Sequence, residues 1–305
     1  MERIDILMAT YNGERYVARQ IRSLQDQTYE DWVLWVHDDG SADHTVGVVR
    51  RMAESDRRIR LVEDGICLHT PAWNFMHLLA WSEAEYTMFC DQDDIWLENK
   101  LEALMEVMRG KDQHQPQAVY GNGYMYKADT GEISGRALLS TPTQLGDALF
   151  ANGGVQGCAI LMNRALREIC LDPPPVLCMH DHLVTLAALT FGTLTYVDRP
   201  LMLYRRHESA VTDVCSGTYR EKAVSFLQGR RAVLDRRHLD AIHAFVEHYR
   251  ERIPSDKLAL YESFFSLESQ SRWRALGTVL SCPFTLYGSK AVLLLKMLLR
   301  PLLAK

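Results

Sequence analysis

Basic residues are in the minority: 34 Lys and Arg against 39 Asp and Glu give the 305-residue chain a formal net charge of −5. A nucleic-acid binder needs a basic excess to meet phosphates, so no nucleic-acid partner is expected. Cysteine pairs are also missing. The seven cysteines (67, 90, 158, 170, 178, 215, 282) are odd in number, none forms a C-x-x-C, and most sit among apolar neighbours, as in "MFCD" and "QGCAILM". That argues against zinc ribbons and disulfide frameworks and suits buried thiols in a reducing compartment. No G-K-[ST] or Rossmann glycine fingerprint occurs, which removes the simplest phosphate cradles. A long unbroken apolar run is lacking too. "MERIDILMATYNG" enters a strand pattern at once, with no signal core, so a cytoplasmic protein is expected. What remains is ordinary globular material, 47% hydrophobic and 24% charged, enough for one large domain and a smaller one.

The apolar runs alternate with helical spacing. "RIDILMA" (3–9), "WVLWVH" (32–37), "IRLVE" (59–63) and "YTMFC" (86–90) predict four strands. Between them Val17, Ile21 and Leu24 recur at helical spacing, Ser41 suits an N-cap for a helix over 43–52, and "NFMHLLAW" (74–81) predicts another helix. Strands that are apolar throughout and alternate with helices indicate a mostly parallel α/β sheet. Farther on, "NGGVQGCAILMNRAL" (152–166) joins a glycine-rich bend to a strand and a helix start. A proline-rich loop, a helix opening near His180–Asp181 and two short strands follow, up to position 207. From Tyr219 the pattern turns helical, and a boundary is placed near Gly217. Trp35, Trp73 and Trp81 are expected in the core.

The polar clusters have a common address. "TYNG", "DDGS" and "DQDD" each follow directly on a predicted strand. The carboxyl ends of parallel strands are where open α/β sheets bind ligands, so the three clusters should converge on one rim. Asp91, Asp93 and Asp94 crowd three carboxylates into four positions, which is costly unless a cation or proton sits among them. Hard divalent cations take carboxylates together with substrate phosphates, and Asp91 and Asp93 at a strand end could supply them. An acidic loop that merely caps the next helix is the alternative, as is a simple turn for "DDGS". His180, His182 and His207 lack zinc-ligand spacing; histidine mixed with carboxylates suits Mn²⁺ at least as well as Mg²⁺.

"ILMATYNGERYVARQIRSLQDQTYEDWVLWVHDDGSADHT", followed by "DQDDIW", "GCAILMNRAL" and "HDHL…YRRH", resembles the family 2 glycosyltransferases. "DQDDIW" and the histidine after "YRR" are most similar to bacterial rhamnosyltransferases of surface polysaccharide synthesis. The likeness covers about two-thirds of the chain, in the right motif order. It implies a GT-A fold over 1–216, followed by a helical region over 217–305 that could contact the membrane. The reaction implied is inverting, metal-dependent transfer of a sugar from a nucleoside diphosphate, with Mn²⁺ or Mg²⁺ as cofactor. Carried over by position, Thr10, Tyr11 and Asn12 would line the nucleotide pocket, with Asp39 at the base and Asn74 nearby. Asp91 would approach the ribose or the metal, Asp93 would ligate the metal and His207 complete its site. Arg205 or Arg206 would lie near the diphosphate, Asp181 would be the catalytic base, and Trp96 would stand near the sugar. The glycines at 153, 154 and 157 would shape a loop by the donor or acceptor sugar. His182 stands where relatives often carry an aromatic residue, which bears on acceptor choice.

The first expected donor is dTDP-L-rhamnose, then a UDP-hexose; the expected acceptor is a saccharide or a lipid-linked saccharide at the cytoplasmic membrane face. A sugar-nucleotide pyrophosphorylase would need a basic glycine-rich loop after the first strand, where "TYNGERY" has one glycine. A non-catalytic nucleotide-sugar-binding protein would not need every one of these acids. The tail from Phe284, "FTLYGSKAVLLLKMLLRPLLAK", is apolar but broken by Lys290, Lys296, Arg300 and Pro301, so it is a poor membrane span. Interleaved cations instead suggest a helix lying in an anionic membrane surface; packing on the main domain or on a second subunit of a homodimer is the alternative.

Overall fold

The computed structural model describes residues 2–206 and 232–303. They fall into two compact units. The first comprises residues 2–139, 154–173 and 179–206; the second comprises 140–153, 174–178 and, of its C-terminal part, 232–303. The expected boundary near Gly217 lies outside the described residues.

The first unit is built on one sheet of nine strands in the order β3-β2-β1-β4-β8-β6-β9-β5, with β7 paired to β6. The strands are β1 (Ile4–Thr10), β2 (Trp32–Asp38), β3 (Ile59–Val62), β4 (Tyr86–Asp91), β5 (Ile95–Trp96), β6 (Gln117–Lys127), β7 (Ile133–Arg136), β8 (Ile160–Asn163) and β9 (Thr193–Arg206). β3, β2, β1 and β4 are parallel, as their apolar sequences require, and nearly every residue of β1 and β4 is buried. Beyond β4 the sheet is mixed, because β8 runs antiparallel to both β4 and β6. Helices α1 (Val17–Gln25), α2 (Thr45–Ser55), α3 (Pro71–Leu79), α4 (Lys100–Met108), α6 (Arg164–Cys170) and α7 (His180–Phe191) connect the strands.

Three local expectations shift. α2 starts at Thr45 because Ser41 does not cap it; the Ser41 hydroxyl donates to Asp38 instead (2.6 Å). α3 starts three residues early, where Thr70 caps the Trp73 amide (3.3 Å) and Pro71 takes a first-turn position that needs no donor. The two short strands before position 207 are one strand, β9, whose Pro200 falls where the pairing with β6 is irregular, as suits a residue with no amide donor. Trp81 is 40% exposed and packs on the half-buried Trp35 (ring centroids 5.9 Å apart), so it is not a core residue.

Among the described residues the second unit holds the short α5 (Leu145–Ala148) and four helices: α8 (Arg236–Tyr249), α9 (Ser255–Ser266), α10 (Arg272–Ser281) and α11 (Lys290–Leu299). Phe150, Phe264 and Phe284 meet edge to face at its centre, with centroids 5.3 to 6.1 Å apart. Phe284 is fully buried, so the tail begins inside a core. α11 buries Leu293 and Met297 and exposes Val292, Leu295, Leu298 and Leu299. Its cations turn inward. Lys290 Nζ donates to the carbonyls of Leu280 (3.1 Å) and Cys282 (2.7 Å), Lys296 to Val233 (3.4 Å), and Arg300 is buried. Among the described residues, no helix is long and apolar enough to cross a membrane.

Candidate functional site

Register places the rim. Thr10 lies beside Asp38 and Ala9 beside Asp91, so the ends of β1, β2 and β4 stand next to one another. Their loops are then zipped together. The Asn12 amide donates to Ser41 Oγ (2.8 Å), Ala42 to Asn12 Oδ1 (2.9 Å), Gly13 to Thr45 Oγ1 (2.7 Å) and Glu14 to Asp43 Oδ2 (3.0 Å). Gln92 closes the third side: its Oε1 accepts from the Tyr11 amide (3.1 Å) and its Nε2 donates to the Tyr11 carbonyl (3.0 Å). A Cβ at Gly13 would sit 2.0 Å from Gln92 Oε1, so this approach depends on glycine. Tyr11 itself stays 57% exposed on the rim.

The two acids of "DDGS" separate by partner. Asp38 accepts from Thr10 Oγ1 (2.8 Å) and from the hydroxyl and amide of Ser41 (2.6 and 2.7 Å). It builds the turn, and it commits the buried Thr10 hydroxyl inward. Asp39, the acid expected at the base, is buried and accepts from the Leu68 amide. Asn74 is also buried, one layer back, with its Oδ1 2.7 Å from His37 Nδ1.

At the end of β4 the crowding of carboxylates is real. Burial, then the charge on Asp93, push Asp91 up to about 6, against the pull of the Cys158 thiol hydrogen bond and the Lys100 charge. Asp94 is buried and pushed well above the usual carboxylate range by the same desolvation and by Asp91 and Asp93. Its Oδ1 accepts from the Arg205 amide (3.0 Å), while its Oδ2 is buried without a partner. Asp91, Asp94 and Cys158 bring their ligand atoms within 4.8 Å of one another. Burial and the two carboxylates drive the Cys158 thiol well above its ordinary pKa, which suits it as a protonated donor to Asp91. The oxygens fit a hard divalent cation: crowded carboxylates, one buried and unpaired, at the open end of a strand.

Below the acids lies a fully buried Lys100. Its Nζ donates to the Cys158 carbonyl (2.7 Å) and lies 3.7 Å from the Trp96 ring centroid. Trp96, at 2% exposure, is therefore a buried support and not a rim residue. Arg205 is buried as well. Its Nε donates to the Asp93 carbonyl, and its guanidinium stacks between Tyr16 (4.9 Å) and Tyr126 (5.0 Å). Expected beside a diphosphate, it braces the acidic turn. The Arg206 side chain and the whole of His207 lie outside the described residues.

Asp181 opens α7. Burial pushes its carboxyl up to about 7, the Asp91 charge adds to this, and the amides of His182 and Gly157 partly offset it by donating to it. Glycines make the approach. A Cβ at Gly154 would lie 2.4 Å from the Asp181 carbonyl oxygen, and one at Gly157 would lie 2.4 Å from His180 Nε2. Two adjacent residues thus reach both acids: the Gly157 amide holds Asp181, and the Cys158 thiol holds Asp91. The rim thus gathers Thr10, Tyr11, Asn12, Asp39, Asp91, Asp93 and Asp181. Gln92, Lys100, Cys158 and Tyr126 escaped sequence reasoning. Only Gln92, inside "DQDD", carried a positional signal; the others are brought in by tertiary packing.

Strand order, acidic rim and helix-borne carboxylate define a GT-A glycosyltransferase. The family model for glycosyl transferase family 2 matches residues 5–170, more than half of the chain, and the chain belongs to that family. It is 28% identical over 220 residues (66% of this chain, 72% of the relative) to the dTDP-rhamnosyl transferase RfbG of Shigella flexneri. It is 35% identical over 105 residues to the UDP-Glc:alpha-D-GlcNAc-diphosphoundecaprenol beta-1,3-glucosyltransferase WfgD of Escherichia coli, but this spans only 34% of this chain and 40% of that protein. Two solved structures share the fold at 15% identity. Residues 1–349 of S. aureus TarS in complex with UDP align with a TM-score of 0.59 over 92% of this chain and 75% of the other. The mannosyltransferase PcManGT from Pyrobaculum calidifontis, in complex with GDP-Man and Mn²⁺, aligns with a TM-score of 0.54 over 97% and 86%.

Proposed function

We propose that the chain is an inverting, divalent-metal-dependent transferase that moves a sugar from a nucleoside diphosphate onto a saccharide hydroxyl. The observation that carries this reading is the Gly157–Cys158 step, which ties a half-buried, raised-pKa acid on α7 to the acidic rim at β4. Asp91 and Asp93, with His207 by resemblance, would hold Mn²⁺ or Mg²⁺, which supplies positive charge against the diphosphate. Tyr11, Asn12, Asp39 and Asn74 are assigned to the nucleotide side and Arg206 to the diphosphate, with Arg205 holding the acidic turn in place.

Asp181 in its ionised form accepts the proton of the incoming hydroxyl. The new bond from that oxygen to the anomeric carbon forms as the bond to the diphosphate oxygen breaks, and the electron pair leaves with the diphosphate. A single displacement from the opposite face inverts the anomeric carbon, by analogy with inverting glycosidases.

Likeness to the Shigella protein over two-thirds of the chain favours dTDP-L-rhamnose as donor, and the E. coli relative makes a UDP-hexose the second choice. The diphosphoundecaprenol in that relative's name supports a lipid-linked acceptor at the inner membrane face. The exposed Val292, Leu295, Leu298 and Leu299 of α11 would then rest on the bilayer. With its cations turned inward, such contact rests on apolar burial more than on anionic lipid. Calorimetry against a panel of nucleotide sugars, with and without Mn²⁺, tests the reading. Metal-dependent binding of dTDP-L-rhamnose is expected, and no binding of any nucleotide sugar would overturn it.

A further inference from the structure

We infer that His37, Asp64 and His77 form a second cation site, apart from the acidic rim, that takes one divalent transition metal of the zinc class. The three come from different places: His37 from the end of β2, Asp64 from the loop after β3, and His77 from the last turn of α3. His37 Nε2 lies 3.3 Å from Asp64 Oδ1, and His77 Nε2 lies 2.6 Å from Asp64 Oδ2. All three ligand atoms fall within 4.8 Å of one another.

Hydrogen-bond accounting around His37 asks for a cation. Its Nδ1 faces Asn74 Oδ1 at 2.7 Å, and an amide oxygen can only accept, so Nδ1 carries the proton. In the neutral ring Nε2 is then a lone pair aimed at a carboxylate oxygen, and two acceptors attract only with something positive between them. A second proton there would serve His37 and Asp64 alone. A metal does it while using the His77 lone pair and the carboxylate together. Asn74, one turn before His77 on α3, is then the outer partner that fixes the His37 tautomer, an arrangement usual behind metal-bound histidine.

Asp64 is ready as a ligand. Its Oδ1 also accepts from the Ile66 amide (3.0 Å), which holds the carboxylate between the two imidazoles. A cavity of about 360 Å³ lined by His37, Asp64, Gly65 and Cys67 gives access from outside. Two imidazoles and one carboxylate suit Zn²⁺, Co²⁺ or Ni²⁺ and disfavour Mg²⁺ and Ca²⁺, which want oxygen alone. Bound there, the metal would pin the loop that carries Leu68, whose amide donates to Asp39.

The test uses Co²⁺ as a spectroscopic probe on the full chain, without a polyhistidine tag and stripped with chelator. About one equivalent should give ligand-field absorption, which Zn²⁺ bleaches and excess Mg²⁺ does not. Asp93→Asn, which alters the rim, should leave that absorption unchanged. His77→Ala and Asp64→Asn, both at partly exposed side chains, should weaken Co²⁺ binding at least tenfold with the thermal midpoint of the metal-free protein preserved. Absorption that survives in both variants, disappears in Asp93→Asn, or fails to form in the native chain would overturn the site.

Discussion

Asp181 keeps its proton up to about pH 7 because desolvation and the neighbouring Asp91 charge oppose ionisation. As the proposed base it must be ionised, so turnover should fall as pH drops below about 7. Asp181→Asn should cut turnover roughly a hundredfold or more with nucleotide affinity nearly intact, read by steady-state kinetics beside calorimetry. The same residue sets a stability slope. Between its unfolded and folded pKa values the folded chain keeps a proton that the unfolded chain has lost, so its contribution to stability falls as pH rises from about 4 to about 7. His180, held at about 3 by burial, contributes the opposite slope and does so equally in native and variant proteins. Urea unfolding at about pH 4.5 and about pH 7.5 should therefore show Asp181→Asn gaining stability relative to the native chain at the higher pH; an equal difference at both would place Asp181 in water. At this scale the sequence identifies which residue types gather, but not their division of labour. "DDGS" offers two acids, and only the Thr10 and Ser41 hydrogen bonds reveal Asp38 as the turn-builder. Arg205 and Arg206 read alike as candidates beside the diphosphate until two tyrosines distant in sequence are seen to enclose Arg205.

Elements hold the site through close backbone approaches. Gly154 lets the loop before β8 touch the first turn of α7, where any side chain would meet the Asp181 and His182 backbone at 2.4 to 2.7 Å. Gly154→Ala should displace Asp181 and lower kcat about tenfold or more while donor binding by calorimetry stays near native. Unchanged kcat would mean the loop yields without moving α7. Gln92→Ala removes both hydrogen bonds that join the β4 loop to Tyr11, so nucleotide binding should weaken several-fold, in line with about 1 kcal/mol per hydrogen bond. β1, β2 and β4 are legible because nearly all their residues are buried and most are apolar, and the short β3 because Ile59 and Val62 bury its ends. β6 is not, since Gly121 and Gly123 break its pattern. They are there because Leu201 and Met202 of β9 press to within 2.6 and 2.8 Å of where a Cβ would stand. Helix starts slip for a related reason: capping side chains such as Ser41 can be claimed by tertiary partners.

For the molecule as a whole, the α/β class, the converging strand ends and the family are readable from motif order. The mixed half of the sheet is not, because strand direction is a property of connections and not of composition. The tail shows the same limit: its cations read as lipid-facing, yet they bond to carbonyls within the second unit. Truncation from Phe284 would remove a core aromatic, so the surface test is Leu295→Glu with Leu298→Glu. The pair should lower co-sedimentation with liposomes at least fivefold without changing the thermal midpoint; unchanged sedimentation, or loss of a dimer by light scattering, would assign the face to protein contact.

The most direct measurement is anomalous diffraction from crystals soaked with Mn²⁺ and a nucleoside diphosphate. The expected map has manganese coordinated by Asp93 or Asp91, with the diphosphate on the same ion. Manganese and nucleotide both bound away from the β4 rim would contradict the proposed chemistry.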